Sequence, residues 1–308
     1  MKAARLALAV LMGIGVLSGL ARTSGTALAD APFTLDRIKA SKTITIGYRE
    51  ASYPLSYVVK GGAPMGYHID VCQKIAERVK EQLSIPDLKV NYQMVTSDTR
   101  IGLVADGKVD LECGSTTNNS ERQRKVAFAP TTFLAKTRVA VRKNSGIAQL
   151  DQLSGKVVVT TKGADSIDML RAKYPNLKVA SVYADDHAQS FAMLEAGKAD
   201  AFAMDDNLLA GLIANSADPG KYELVGEALD YQPIAIMFHK DDPAFKALVD
   251  DVVKGMMKSG EMDKLYDRWF DKPIPPKGVT LNFPMTPMLK QLFLYPSSDT
   301  TESFLPPE

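Results

Sequence analysis

Hydroxyl groups and a guanidinium lie close together in the segment 110–125. A predicted strand ends there in a glycine, and a run of three hydroxyl residues, 115–117, follows it. Arg122 comes five residues after Thr117, in a predicted helical turn. Clustered hydroxyls, free backbone N–H groups and a guanidinium together bind a small carboxylate well. Taken alone, the same run also fits a solvent-exposed polar loop.

Length and composition favour a globular protein of about two domains. The chain has 308 residues, 45% of them hydrophobic, and a net charge of +1 from 37 basic and 36 acidic residues. It contains no basic tract and no aromatic signature of RNA binding. We therefore expect no nucleic-acid partner.

The N-terminus has the three parts of a secretory signal peptide. Lys2 and Arg5 form a charged start, residues 6–20 are apolar and uncharged, and Ala-Leu-Ala at 27–29 is a cleavage site. The apolar stretch is short for a membrane anchor, which is the alternative interpretation. We predict that residues 1–29 are removed and that the protein is exported to the periplasm. Removal leaves 34 basic and 36 acidic residues.

Export affects the interpretation of the two cysteines, Cys72 and Cys113. In an oxidising compartment they can form a disulfide, although the sequence cannot show their separation. Two buried free thiols are an alternative. A metal site that adds His68 is a third possibility, but no fourth ligand is evident, and we predict none.

Strands and helices alternate through the first hundred residues of the exported chain, which predicts an α/β domain with a largely parallel sheet. Polar side chains follow the predicted strands. Because open α/β sheets bind ligands at the carboxyl ends of their strands, these side chains are candidates for a ligand site. They are Arg49, Ser97, Arg100, Ser115, Thr117 and Arg122.

A second α/β unit of similar pattern begins near Arg138. Its loops again collect polar groups at strand ends, and the candidates are Thr160, Ser166, His187 and Asp205. After Pro276 the chain is rich in proline and serine, and we expect it to be irregular, on the surface or partly disordered.

Several motifs resemble one protein family. They are GYRE at 47–50, TSDTR at 96–100, ECGSTTNNSER at 112–122, DDHAQSF at 185–191, MDDNLLAG at 204–211 and PIPPK at 273–277. With them the chain resembles the periplasmic substrate-binding proteins of polar amino-acid ABC importers, and within these the members that bind glutamate and aspartate. The segment 112–122 is the most specific of the motifs.

The resemblance implies a type II fold of two α/β lobes that are joined by a two-strand hinge and close on one ligand. The hinge strands are expected near 133–136 and 230–233. The implied division is 1–29 signal peptide, 30–134 and 232–275 lobe 1, 135–231 lobe 2, and 276–308 C-terminal extension.

The resemblance also implies roles for the candidate residues. Arg122 matches the clamp for the ligand's α-carboxylate, with Thr117 beside it, and Asp205 matches the partner of the α-ammonium, with Ser115 beside it. Helix capping is the structural alternative for Asp205. The remaining candidates, Arg49, Ser97, Arg100 and His187, would select the ligand's side chain, and Thr160 is a further candidate contact. Positive groups are then expected to outnumber negative ones in the cleft.

One segment departs from the family. Where the family usually has Gly-Thr-Thr, this chain has Gly163-Ala164-Asp165. Two hydroxyls are lost and a carboxylate is gained, so contacts from this loop are expected to differ, with Thr160, Thr161 or Ser166 as substitutes.

We therefore predict a receptor, not an enzyme, that needs no cofactor, is a monomer, and carries L-glutamate or L-aspartate to an inner-membrane ABC permease. An enzyme on the same scaffold is an alternative, with Glu112, His187 or Asp205 as acid or base. A sensor subunit is another.

Overall fold

The computed structural model describes residues 33–304, and the predicted signal peptide at 1–29 lies outside them. The strands are β1 (Thr43–Tyr48), β2 (Ala51–Ser52), β3 (Ser56–Val58), β4 (Pro64–Met65), β5 (Lys89–Met94), β6 (Leu111–Glu112), β7 (Val126–Phe128), β8 (Phe133–Arg142), β9 (Val157–Thr161), β10 (Ala180–Ala184), β11 (Ala201–Asp205), β12 (Tyr222–Val225), β13 (Tyr231–Ile234) and β14 (Met237–His239). The helices are α1 (Thr34–Ser41), α2 (Tyr67–Gln82), α3 (Arg100–Ala105), α4 (Ser120–Gln123), α5 (Ser166–Lys173), α6 (His187–Glu195), α7 (Asp206–Asn215), α8 (Pro243–Ser259), α9 (Glu261–Tyr266) and α10 (Pro287–Leu294).

Two sheets of the same design organise the chain. The first has the strand order β5-β1-β6-β14-β7, and the second has β10-β9-β11-β8-β12. In each sheet the first three strands are parallel and the fourth is antiparallel to its neighbours. A small antiparallel sheet, β2-β3-β4, follows β1. The fold is a two-lobed type II α/β architecture.

The long strand β8 links the two sheets. Its C-terminal half pairs with β11 and β12, whereas its first four residues pair with β13 in the register Phe133↔Ile234 to Lys136↔Tyr231. The chain thus runs from the first sheet to the second along β8 and returns along β13.

Helices cover both faces of each sheet, as the alternation of side chains along a strand requires. Val139 and Val141 of β8 enter one apolar cluster with Leu170 of α5, while Ala140 between them enters another with Phe191 of α6. In the first sheet, Ile44 and Ile46 pack beneath the apolar face of α2. The buried residues of this face are Ile69, Cys72, Ile75, Ala76 and Val79.

Cys72 and Cys113 form a disulfide between α2 and the end of β6, with their Cα atoms 6.3 Å apart. This confirms the disulfide among the three alternatives, and it leaves neither thiol free to bind a metal. His68 has a structural role instead. Its Nδ1 lies 2.5 Å from the Gly114 carbonyl oxygen and its Nε2 lies 2.8 Å from Thr132 Oγ1. Burial lowers the pKa of His68 to about 4, so the ring is neutral at pH 7.

The C-terminal segment corrects the expectation of an irregular tail. Within the described part, α10 buries Leu289 and Phe293 in the same core as α2. Thr286 caps this helix, since its Oγ1 accepts a hydrogen bond from Leu289 N at 3.2 Å, and Pro287 occupies its first turn. The apolar spacing of three to four residues and the cap are ordinary helix signals, which the composition of the tail obscured.

The segment 231–239 forms two strands, β13 and β14, although its apolar run 234–238 is continuous. The break follows from the change of partner: Ile234 pairs with Phe133, whereas Met237 pairs with Glu112 and Phe128 in the first sheet. Across residues 33–304, no helix combines the length and apolarity that crossing a membrane demands.

Candidate functional site

Three arginines come together where the loops of the two sheets meet. Arg49 directly follows β1, Arg100 begins α3, and Arg122 lies in α4. Their exposed fractions are only 3%, 2% and 8%. Since arginine is rarely buried without partners, such a group indicates a site that handles negative charge.

Arg49 is held by groups from both sheets. Its Nη2 donates to Ser97 Oγ at 2.9 Å and lies 3.3 Å from His187 Nε2, and its Nη1 donates to Ser115 Oγ at 3.4 Å. Burial lowers the pKa of Arg49, while the nearby carboxylates of Glu112 and Asp186 act in the opposite direction. The guanidinium is therefore fixed in place.

His187 is oriented by a chain of hydrogen bonds. Because arginine can only donate, Nε2 of His187 accepts from Arg49, and Nδ1–H donates to Thr161 Oγ1 at 2.7 Å. Thr161 lies 3.0 Å from Ser190 Oγ, which donates to the Asp186 carbonyl oxygen at 2.9 Å. Burial, Arg49 and Arg100 all lower the pKa of His187 well below its usual value, so the ring is neutral.

Arg100 is the most deeply buried of the three guanidiniums. Its Nη1 donates to the Ser115 carbonyl oxygen at 3.0 Å, and among the described residues its Nε has no hydrogen-bond partner. Burial lowers the pKa of Arg100 to about 9, with Glu112 opposing the shift and Arg122 and Arg49 adding to it. Arg100 remains cationic at pH 7, and its Nε–H is a donor that a ligand could use.

Glu112 lies beneath the cluster and compensates part of its charge. Its Oε2 accepts from Thr116 Oγ1 at 2.6 Å, and its side chain is fully buried. Gly114 is required beside it, because a Cβ at this position would lie 2.2 Å from Glu112 Oε1 and 2.7 Å from Arg49 Cγ. The glycine in segment 110–125 therefore makes room for the buried carboxylate and guanidinium.

Arg122 contacts the loop of the second sheet. Its Nη1 donates to the Thr117 carbonyl oxygen at 2.9 Å, and its Nη2 lies 3.3 Å from Asp165 Oδ2 and 3.5 Å from the Gly163 carbonyl oxygen. Asp165, which belongs to the segment that departs from the family, thus forms an ion pair with Arg122, the predicted clamp for the ligand's α-carboxylate.

Asp205 and Asp206 have different environments. Asp206 Oδ1 accepts from the backbone N–H groups of Lys136 and Asn207, at 3.1 and 2.9 Å. Asp205 makes no capping hydrogen bond to α7 although it occupies the cap position, and it is 5% exposed. Burial raises the pKa of Asp205 to about 8, with Asp165 and Asp206 adding to the shift and Arg122 opposing it. Its carboxyl is available to a cationic partner.

Two predicted residues are not brought into the cluster by a hydrogen bond. Thr160 Oγ1 donates to the Ala203 carbonyl oxygen at 3.0 Å, within the second sheet, whereas Thr161 supports His187. Ser166 also points elsewhere, with its Oγ 3.8 Å from Met204 Sδ. Adjacent strand residues face opposite sides of a sheet, and the sequence does not show which of two threonines faces the cleft.

Three guanidiniums and three carboxyl groups make up the cluster. Arg49, Arg100 and Arg122 face Glu112, Asp165 and Asp205. Because the raised pKa of Asp205 leaves its carboxyl mostly protonated at pH 7, positive groups outnumber negative ones among these six residues. Sequence reasoning assigned no ion pair to Asp165. The only sequence signal for this ion pair is that Ala164 and Asp165 replace two hydroxyl residues of the family. Spacing along the chain does not show that the Asp165 carboxylate lies near Arg122.

Backbone and surface contacts also join the two loops. Lys162 Nζ lies 2.8 Å from Asp98 Oδ2. Gly163 has a φ of +78°, and a Cβ there would lie 2.6 Å from the backbone of Ser97. A glycine is needed here both for the left-handed backbone conformation and for the close approach of the two chains.

The raised pKa of Asp205 predicts a pH-dependent stability. At pH values between the usual pKa of an aspartate and about 8, Asp205 keeps a proton in the native state that it releases in the unfolded chain. The free energy of unfolding therefore falls as pH rises. His68 and His187 are present in both proteins, so their contributions cancel when the variant is compared with wild type. From pH 6.5 to 8 we expect Asp205→Asn to remove a slope of up to about 1.4 kcal/mol per pH unit. Urea unfolding at several pH values measures it.

The exposed Asp185, in the short loop between β10 and α6, provides the control for this prediction. Asp185→Asn is expected to keep the wild-type slope. An Asp205→Asn variant with an unchanged slope would show that another group causes the pH dependence.

The sequence comparisons identify the class of protein that this fold and site define. Residues 44–272 match the model of the bacterial extracellular solute-binding proteins, family 3. This is most of the chain, and the protein belongs to that family.

Two curated relatives are similar over nearly their whole length. The L-glutamate/L-aspartate-binding protein of Pseudomonas aeruginosa is 46% identical over 272 residues, which cover 87% of this chain and 90% of the relative. The glutamate/aspartate import solute-binding protein of Escherichia coli is 40% identical over 289 residues, covering 93% and 95%.

A solved structure supports the fold and bears on the enzyme alternative. An ancestral amino acid-binding protein, described as a precursor of cyclohexadienyl dehydratase, is 27% identical with a TM-score of 0.66. The similarity covers 77% of this chain and 99% of that one.

Proposed function

We propose that the protein captures an acidic amino acid, L-glutamate or L-aspartate, between its two lobes. The observation that carries this proposal is the burial of three guanidiniums and the Asp205 carboxyl at one junction between the two sheets. An acidic amino acid offers two carboxylates and one ammonium, which this set of groups complements. The names of the two curated relatives support the same ligand class.

Each part of the ligand has a proposed partner. Arg122 and Thr117 hold the α-carboxylate, and Asp205, helped by Ser115, holds the α-ammonium. The ligand's distal carboxylate is bound by Arg49, Arg100 and Ser97, and the predicted His187 has an indirect role. The neutral His187 ring is itself fixed by Arg49 and Thr161, so it acts by orienting the guanidinium. Thr160 has no part in this proposal, because its hydroxyl donates within the sheet.

Ligand capture is proposed to bias an opening and closing motion. We take residues 30–134 and 232–275 as lobe 1, 135–231 as lobe 2, and the paired segments of β8 and β13 as the hinge. The proposed ligand contacts come from both lobes, and a ligand that contacts both stabilises the closed arrangement. The closed form would then be recognised by an inner-membrane ABC permease, and the receptor would act as a periplasmic monomer.

The hydrogen bonding supports a receptor over an enzyme. Both ring nitrogens of His187 are engaged, by Arg49 and Thr161, and Glu112 is fully buried with its Oε2 bonded to Thr116. A general acid or base has to reach a proton of the substrate, and these two groups are directed at the protein itself. Asp205, the third candidate, is assigned to the ammonium of the ligand.

Calorimetry on the mature protein tests the proposal. L-Glutamate or L-aspartate should bind with a measurable heat at pH 7 and be recovered chemically unchanged after long incubation. L-Lysine and L-glutamine are the comparison ligands of other charge. Binding of either of these without binding of the acidic pair would contradict the proposed specificity, and conversion of the ligand would support the enzyme alternative.

A further inference from the structure

Asp165 directs its carboxylate away from its own helix. It occupies the cap position of α5 but makes no capping hydrogen bond. Its Oδ2 instead lies 3.3 Å from Arg122 Nη2 and accepts from Asn119 Nδ2 at 3.4 Å. Both side chains of the ion pair are shielded, with exposed fractions of 9% for Arg122 and 19% for Asp165. The carboxylate does not cap its helix, and its partner is a buried cation. Both facts indicate that it acts in the cleft.

The ion pair occupies donors that a ligand carboxylate would need. Nη1 of Arg122 already donates to the Thr117 carbonyl oxygen, and Nη2 serves Asp165 and the Gly163 carbonyl oxygen. A guanidinium binds a carboxylate best through two parallel N–H groups. A ligand carboxylate that binds Arg122 through two N–H groups would use Nη2, and so must share it with Asp165 or displace Asp165.

The surrounding charges increase this competition. The negative charge of Asp165 contributes to raising the pKa of Asp205 and of Asp230, and it acts in the same direction on the pKa of Arg100. When Asp205 ionises to pair with the ligand's ammonium, three carboxylates face three guanidiniums, and an acidic amino acid adds a further net negative charge. Burying an uncompensated charge is unfavourable, so removal of one carboxylate should favour an anionic ligand.

We infer that Asp165 is a residue that limits the affinity for acidic amino acids by competing with the ligand's α-carboxylate for Arg122. The inference rests on the proposed function. Its chemical consequence is that the native cleft binds an anionic ligand more weakly than the same cleft with a neutral residue at 165. The loop 163–165 then sets affinity without itself holding the ligand.

The test is the dissociation constant of L-glutamate for the mature protein and the Asp165→Asn variant. Asparagine keeps the shape of the side chain and removes the charge, and Asp165→Thr is a second variant if the first folds poorly. We expect binding to become about tenfold tighter or more. Asp168→Asn is the matched control, since this residue lies on the same helix with a 71% exposed side chain. Its dissociation constant should stay within about twofold of the wild-type value.

The outcomes separate the inference from the proposed function. Tighter binding in the Asp165 variants, but not in Asp168→Asn, supports both. Wild-type binding of L-glutamate with equal or weaker binding by the Asp165 variants overturns the inference and leaves the proposed function standing. If neither the wild type nor any variant binds L-glutamate or L-aspartate, both are overturned.

Discussion

Replacement of Arg122 by glutamine is expected to weaken the binding of L-glutamate at least about a hundredfold. The guanidinium is 8% exposed and offers the proposed contact for the α-carboxylate, which every α-amino acid ligand carries. Glutamine cannot supply two parallel charged donors, so the carboxylate would be buried without a cation. The loss should therefore appear equally with L-aspartate. Calorimetric titration of both ligands measures it.

Arg124 provides the matched control for this variant. It lies two residues further along, at the end of α4, and its side chain is exposed. Arg124→Gln removes the same charge at a similar distance along the chain and should leave the dissociation constant within about twofold of wild type. Equal effects of the two substitutions would mean that the overall charge of this region, and not a clamp at Arg122, governs binding.

Charge reversal at Arg49 is the second substitution with a large expected effect. Arg49→Asp replaces the cation that Ser97, Ser115 and His187 orient, and it places a carboxylate close to Glu112. The distal carboxylate of an acidic ligand would then meet negative charge, and its binding should become undetectable by calorimetry. The preference should shift towards L-lysine or L-arginine, because specificity depends on repulsion as well as attraction.

Two further variants separate these effects from damage to the fold. Arg49→Gln removes the cation without adding an anion, so it should lose acidic ligands without gaining basic ones. Lys60→Asp makes the same change of charge at an exposed position and should bind normally. Circular dichroism should show native secondary structure in all three. Unchanged affinity of Arg49→Asp for L-glutamate would place the distal carboxylate elsewhere.

The sequence was sufficient to predict the α/β class and the grouping of the loops. The reason is physical: parallel strands bring their carboxyl ends to one edge of a sheet, so residues such as Arg49 and Ser115 meet although they are 66 positions apart. The disulfide could be predicted as one of the alternatives, because Cys72 falls on the buried face of α2 and Cys113 lies at a strand end.

Other features depend on geometry that no residue pattern specifies. The direction of the Thr160 and Thr161 side chains depends on which face of β9 borders the cleft. The ion pair of Asp165 with Arg122 requires the relative placement of loops from two different sheets. The helix α10 had local signals, but its stability comes from burial of Leu289 and Phe293 in a distant core.

The most direct test of the central claim is a crystal structure of the mature protein with bound L-glutamate. We predict an α-carboxylate within about 3 Å of the Arg122 guanidinium, a distal carboxylate at a similar distance from Arg49 or Arg100, and an ammonium beside Asp205. The ligand should contact both lobes. A glutamate bound elsewhere, or one whose two carboxylates both lie beyond hydrogen-bonding distance of these arginines, would contradict the account.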